Sequence, residues 1–363
     1  MTPPASAEYD LLRLAARAQL DPARAAAFRE GMAGVDWDVV TELIGYHRMV
    51  PLFYVHVRDH ADDLVPDRIQ ALLRNSAMAR AVQVLFLSSE MKQIATRLRE
   101  EGLPFLVLKG PSLAEAFGDI SRRPFVDNDL LVRRQDFDQI GETLVGMGFG
   151  RRARSRLQKA GYLFVHGEYT FGRAVGSQIS TADVHTDLVP VGYPYQASFD
   201  ALLERSRSLD VAGTAVPVLS WEDLFIALSV NALKDQWNRV RLASDLAEVG
   251  TLVDWDVVWE RAARGRCLRA VRLAVLVATD ELDASFPERV VADARSDARA
   301  QALAEPIRLH LRTFHQEHVL EGKDRARLSL LAQDDVRGQI RYSAYVALRR
   351  LTEWFVDPAE TTD

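Results

Sequence analysis

The segment FVDNDLLV, residues 125–132, constrains this chain more than any other. It is apolar enough to be a buried strand, yet it carries Asp127 and Asp129. Side chains alternate faces along a strand, so the two carboxylates project from the same side. Charges on an otherwise apolar strand are costly unless they are used. Held this close they repel, and without a cation one tends to keep its proton. A divalent cation resolves the conflict, and hard Mg²⁺ favours one or two carboxylates plus water and substrate phosphates. A D-x-D alone is common and is often a solvated strand face, so the surroundings decide. Upstream, LPFLVLKG (103–110) is a short apolar run ending in Gly, as expected of a buried strand. PSLAEAFGD (111–119) follows as a short helix, which Ser112 either caps or supplies with an exposed hydroxyl. Strand, Lys109-Gly110 turn and helix start together suit phosphate binding by backbone N–H groups and the helix dipole.

A second pair, Asp183 and His185, is also two apart on a strand-like run, STADVHTDLVP (180–190). Set beside the first pair in a sheet, Asp183 completes a carboxylate triad. Such a triad can hold two metals that clamp the attacking and leaving oxygens of a phosphoryl displacement. LFVHGEYTF (163–171) reads as another strand, with Glu168 within reach of the cleft, and RRQDFDQIGETLVGMGF (133–149) as a helix.

The rest is helical in pattern. Apolar residues recur at three and four spacing in 8–20, 36–57 and 81–102, the last stopping at Glu101-Gly102. Ser220, followed by Glu222 and Asp223, is a helix start. Residues 221–249 read as one long helix placing Asn231, Lys234, Asn238, Arg241 and Asp245 on one face. That stripe is either a solvated face or a cleft lining, with Lys234 on phosphates and Arg241 held by Asp245 at i,i+4. Helical patterns continue through 255–281, 288–319 and 336–355.

The single cysteine, Cys267, excludes an intrachain disulfide and points to a reducing compartment. With no signal-peptide pattern and no apolar run of membrane-spanning length, the expected location is the cytoplasm. A net charge of −6 makes nucleic acid a less natural partner. The basic run 151–156 reads as a solvated loop or an acceptor-binding patch. His315 and His318, at i,i+3, have the spacing for a metal but no supporting carboxylate pattern. His47 and His166 read as structural.

Leu108-Lys109-Gly110, Arg123-Pro124, Asp127-Asn128-Asp129-Leu130-Leu131-Val132 and Asp183-Val184-His185, in that order, resemble the bacterial "uncharacterised nucleotidyltransferase" family of the polymerase-β-like superfamily. The resemblance spans roughly residues 20–250. It includes the Gly-Leu-Pro-x-x-x-Leu-Lys-Gly approach and a later helix with Asn231, Lys234, Trp237 and Asp245. It implies an α+β fold: a small mixed-sheet nucleotidyltransferase core (103–215) between an N-terminal helical region (1–102) and a C-terminal helical domain (216–363). It implies transfer of an NMP group from an NTP to a hydroxyl or other nucleophile of a small molecule or peptide, with Mg²⁺ or Mn²⁺. Asp127 and Asp129 would ligate both metals. Asp183 would ligate the one that activates the acceptor, with His185 beside it. Gly110 and Ser112 would sit at the triphosphate, and Lys109, Arg123, Lys234 and Arg241 would supply cations. A tRNA-modifying nucleotidyltransferase toxin, a γ-phosphotransferase and a catalytically degenerate nucleotide-binding protein are the alternatives. Pro111 departs from the family by removing a turn N–H. Asn128 replaces an apolar residue, which predicts a less buried strand face. Asn231 stands where His is common.

Overall fold

The N-terminal helices start where short polar side chains cap them. In this computed structural model, which describes residues 6–151, 160–161, 163–164, 167–195, 197–313 and 322–356, Ser6 caps α1 (Ala7–Leu14) and Asp21 caps α2 (Pro22–Glu30). Asp36 caps α3 (Trp37–Tyr46). The helical pattern predicted over 36–57 is broken at Arg48, whose φ of 56° is left-handed, and resumes as α4 (Val50–His60). The 34-residue α5 (Asp67–Glu100) starts well before the pattern legible from residue 81.

The sheet comes next, with α6 (Lys109–Ala116) between β1 (Phe105–Val107) and β2 (Asn128–Val132). After α7 (Phe137–Gly146) come β3 (Gly150–Arg151), β4 (Glu168–Val175) and β5 (Gln178–His185). The short α8 (Phe199–Glu204) leads into β6 (Arg207–Val211) and β7 (Thr214–Val218). Among the described residues the order is β3-β4-β5-β2-β1-β7-β6, with β2/β5 and β1/β7 parallel and the other pairs antiparallel. The chain is thus a mixed α/β fold with one mixed sheet among helices.

Three local expectations need correction. Leu163 and Phe164 are helical rather than the start of a strand, and β4 begins at Glu168. The first strand stops at Val107, so Lys109 opens a helix instead of a turn. The β6–β7 hairpin was not anticipated. Its two-residue turn, Ala212-Gly213, has φ of 52° and 77°, the doubly left-handed geometry that matches the twist of antiparallel strands.

One sheet face buries Val107, Leu130, Val132, Tyr169 and Val184 against Met91 and Ile94 of α5 and Ile140 of α7. The opposite face, with Leu106, Leu108 and Leu131, joins the larger helical core. That core includes α9 (Trp221–Lys234) and α10 (Val240–Val249). The single helix expected over 221–249 is therefore two. Gln236 and Trp237 are both left-handed, with φ of 58° and 52°, and this reversal buries the Trp237 ring completely. Asn238 lies between the helices, so the five-residue polar stripe does not form. The remaining helices are α11 (Trp255–Arg264), α12 (Leu268–Leu282), α13 (Glu288–Ser296), α14 (Ala298–Thr313), α15 (Gly322–Leu331) and α16 (Val336–Val356). His166, His315, His318 and most of the basic run at 151–156 fall outside the described residues. Among the described residues no helix is long and apolar enough to cross a membrane.

Within the helical core, His56 on α4 is 2% exposed, and its Nε2–H donates to the Arg17 carbonyl at 2.7 Å. Burial pushes its pKa down from 6.5 to about 4. The folded state therefore disfavours the proton that the unfolded chain takes up. Stability is full above pH 6.5 and is lost as pH falls toward 4. Between pH 7 and 4.5 this group alone removes about 2 kcal/mol. Urea titrations of the wild type and His56→Gln at both pH values test this. The wild type should lose about 2 kcal/mol more than the variant on acidification; equal losses would dismiss it.

Candidate active site

Parallel pairing of β2 with β5 sets Asp129 beside Asp183 and Leu131 beside His185. Antiparallel pairing of β5 with β4 sets Thr170 beside Asp183 and Glu168 beside His185. Directly paired residues share a face, so Asp129, Asp183 and Thr170 form one row, and His185 and Glu168 lie in the next. The His185 Nε2 is 2.9 Å from Asp129 Oδ1 and 3.6 Å from Glu168 Oε2. Asp127 lies one residue before β2.

Asn128 points the other way. Its Nδ2 donates to the Leu87 carbonyl of α5 at 3.2 Å, and the residue is 1% exposed. The expectation of a less buried strand face is therefore wrong. A short amide fills an apolar position by pinning the strand to α5.

The carboxylates are unequal. Burial first, then repulsion from Asp129 and Asp183, pushes the Asp127 carboxyl up to about 6. Burial also acts on Asp129, but the His185 hydrogen bond and the Lys109 charge outweigh it and hold this carboxyl below its ordinary range. Asp183 is raised by burial and by Asp129 and Glu168, while a Thr170 hydrogen bond pulls the other way. The Asp183 Oδ1 is buried without a partner.

Lys109 is placed by the strand pairing. The Leu108 N–H donates to the Asp129 carbonyl at 3.0 Å, one step beyond β1, and the next residue starts α6. Burial pulls the Lys109 ammonium down, but Asp129, Asp235, Glu168 and Asp127 outweigh it and hold its pKa above the ordinary range. Lys109, Glu168, His185, Asn231 and Lys234 line a cavity of about 20 Å³. Gly110 and Ser112 are both buried in the first turns of α6. A Cβ on Gly110 would lie 2.9 Å from Phe125 Cγ, so close packing excludes a larger side chain here. The Ser112 Oγ has no partner. Pro111 is the third residue of the helix, where an N–H has no intrahelical acceptor, so the fold tolerates it.

Arg123 and Arg241 lie elsewhere. Arg123 Nε and Nη2 grip Asp245 at 2.6 and 2.8 Å. Asp245 is thus taken by Arg123, not by Arg241 as the i,i+4 spacing predicted. The Arg241 Nε is buried without a partner, and the Arg123 charge, then burial, pushes its pKa down to about 9. Both arginines line a second, larger cavity that also includes Val126, the residue before Asp127. Arg48 lines this cavity too, and its charge interacts with that of Asp127.

Sequence reasoning missed Arg48, Thr170 and Asp235. Thr170 was accessible in principle, because it alternates with Glu168 on a legible strand. Arg48 had no signal, since only tertiary packing brings the α3–α4 break to the carboxylates.

Comparison with known proteins gives the family but no site residue. No curated protein matches the chain. Two solved structures overlap it loosely. A solution structure of the antibiotic-resistance factor ANT(2'')-Ia is 15% identical and has a TM-score of 0.32, covering 49% of this chain and 89% of its own. A crystal structure of an antigenic nucleotidyltransferase-like protein from Paracoccidioides brasiliensis is 14% identical with a TM-score of 0.36, covering 55% and 93%. Overlaps this loose assign no residue here. The family model described as "Uncharacterised nucleotidyltransferase" matches residues 33–283, a span that takes in α5, the whole sheet and α9–α12. The chain belongs to that family and is a nucleotidyltransferase.

Proposed function

We propose that this enzyme moves an NMP group from an NTP to a nucleophile on a small-molecule acceptor, with Asp127, Asp129 and Asp183 holding a divalent cation. The observation that carries this is the β2–β5 register, which puts Asp129 and Asp183 side by side with Asp127 on the adjoining turn. The donor set is all oxygen, and the unpartnered Asp183 Oδ1 is a ready ligand. Among the described residues no group of three or more His, Cys, Asp or Glu is already assembled to hold an ion. What favours Mg²⁺ or Mn²⁺ is the all-oxygen donor set alone, since such an ion completes its coordination with water and substrate phosphates. When bound, the ion supplies charge neutralisation at the attacking and leaving oxygens.

The chain's own groups divide the remaining work. His185 fixes the orientation of Asp129 through their 2.9 Å contact. Lys109, held protonated, and Lys234, which line one cavity, receive the NTP phosphates. Arg123 positions the segment leading into Asp127 by anchoring it to α10.

The test is incubation with NTPs labelled at the α or the γ position, Mg²⁺ and candidate acceptors. Transfer of the α label with release of pyrophosphate supports the reading. Transfer of the γ label makes the enzyme a phosphotransferase instead. Labelling confined to tRNA makes it an RNA-modifying enzyme, and nucleotide binding with no transfer makes it a binding protein. Lys234→Gln should raise the KM for NTP by roughly ten- to a hundredfold, the loss of one charge-assisted phosphate contact, with kcat changed less. Unchanged KM removes Lys234 from the site.

A further inference from the structure

The second cavity, about 480 Å³, has a lining chemistry unlike the rest of this acidic chain. Five guanidinium groups converge on it from four segments that are far apart in sequence. Arg48 comes from the α3–α4 break, Arg80 from α5, Arg122 and Arg123 from the α6–β2 loop, and Arg241 from α10. No carboxylate lines it. Arg123 is neutralised by Asp245, and Arg80 donates to the uncharged Gln83 at 2.7 Å. Among the described residues, Arg48, Arg122 and Arg241 form no ion pair. Bringing like charges together is unfavourable: Asp245 and Asp127 act on Arg241 and Arg48 from outside the lining, yet the pKa of Arg241 is still driven down by its neighbour Arg123. Several cations converging on a concave space are the arrangement that binds a multiply charged anion, and guanidinium matches phosphate with paired N–H donors.

Location narrows the class of ligand. Val126 lines the cavity and Asp127 follows it, so the cavity adjoins the carboxylates, and it shares no lining residue with the cavity of Lys109 and Lys234. Those lysines already serve the NTP. The volume falls within the range of small-molecule sites, roughly 300–1,000 Å³, and Met49, Pro51 and Phe117 give it an apolar wall. A polynucleotide would call for an extended basic groove and a basic overall balance, whereas this chain carries a net charge of −6.

We infer that the arginine-lined cavity binds the phosphate of a phosphorylated small-molecule acceptor and presents that molecule to Asp127. This rests on the nucleotidyltransfer reading above and names the acceptor class for it. The experiment is calorimetric titration of the full chain with inorganic phosphate, ribose 5-phosphate, ribose, a short RNA hairpin, and a non-hydrolysable ATP analogue with Mg²⁺. The proteins are the wild type, the double variant Arg48→Gln/Arg122→Gln, Arg241→Gln and Lys234→Gln. Arg48 and Arg122 have no ion-pair partner to lose, so the double variant should fold, and its melting temperature checks this.

The expected result is that ribose 5-phosphate and phosphate bind the wild type while ribose does not. Both arginine variants should weaken that binding by about tenfold or more and leave the ATP analogue unchanged. Lys234→Gln should do the reverse. Three results overturn the inference: neither phosphate probe binds the wild type; the arginine variants weaken the ATP analogue as much as ribose 5-phosphate, making the cavity part of the NTP site; or RNA binds far more tightly than ribose 5-phosphate and loses that affinity in the variants. Loss of ATP-analogue binding alone, with ribose 5-phosphate still held by the arginines, would remove the nucleotidyltransfer reading and leave the anion cavity standing.

Discussion

Asp127→Asn should abolish nucleotide transfer and, in metal-free buffer, make the protein more stable. The two effects share one cause. Asp127, Asp129 and Asp183 crowd the adjoining central strands β2 and β5, and burial together with their mutual repulsion holds the Asp127 carboxyl up at about 6. Removing that charge relieves the folded state by about 3 kcal/mol near pH 8. The same charge is one that a divalent cation needs. A metal supplies several kcal/mol to a phosphoryl-transfer transition state, so its loss should lower kcat by at least about a thousandfold. Thermal melts with EDTA and with Mg²⁺ separate the terms. The wild type should gain stability with Mg²⁺, because a ligand of the native state shifts the folding equilibrium. The variant should melt higher in EDTA and respond little to the ion. A variant with wild-type transfer activity, or the same Mg²⁺ response, would show that the carboxylates have another role.

Asp245→Ala should be the most destabilising single change in the region, by about 3–5 kcal/mol. Arg123 is 8% exposed and Asp245 2%, and the pair is bidentate. Deleting the carboxylate strands a guanidinium in a buried place already shared with the unpaired Arg241. Replacing both partners, as Arg123→Met with Asp245→Leu, removes the stranded charge and should recover most of the stability. It should not recover activity in full, because the anchored segment leads directly to Asp127. Chemical denaturation of the two variants and the wild type is the measurement. An Asp245→Ala protein within about 1 kcal/mol of the wild type would mean that water or a shifted side chain neutralises Arg123.

The residues proposed to hold a divalent cation were legible because they sit on a strand or at its start. A period of two places Asp127 with Asp129, and Asp183 with His185, whatever the rest of the chain does. The apolar run from Leu130 to Val132 marks the strand as buried. Elements that depend on what packs against them were not legible. Nothing local announced that residues 221–249 would break at Gln236-Trp237, since burying the Trp237 ring is a property of the assembled core. The Ala212-Gly213 turn was a weak local signal, because Ala does not ordinarily favour a left-handed conformation.

The sequence by itself therefore determined the Asp127/Asp129 and Asp183/His185 pairs through alternation and spacing along single segments, and the class of fold through its resemblance to a family. Only the tertiary structure decided that Asp129 and Asp183 share a row, that His185 reaches Asp129, and that Asp245 belongs to Arg123 instead of Arg241. It alone brought Arg48, Arg80, Arg122, Arg123 and Arg241 around one cavity. The physical reason is range. Alternation acts between neighbours in the chain, whereas strand register and charge pairing act between groups far apart in it, such as Arg123 and Asp245, which the chain separates by 122 positions.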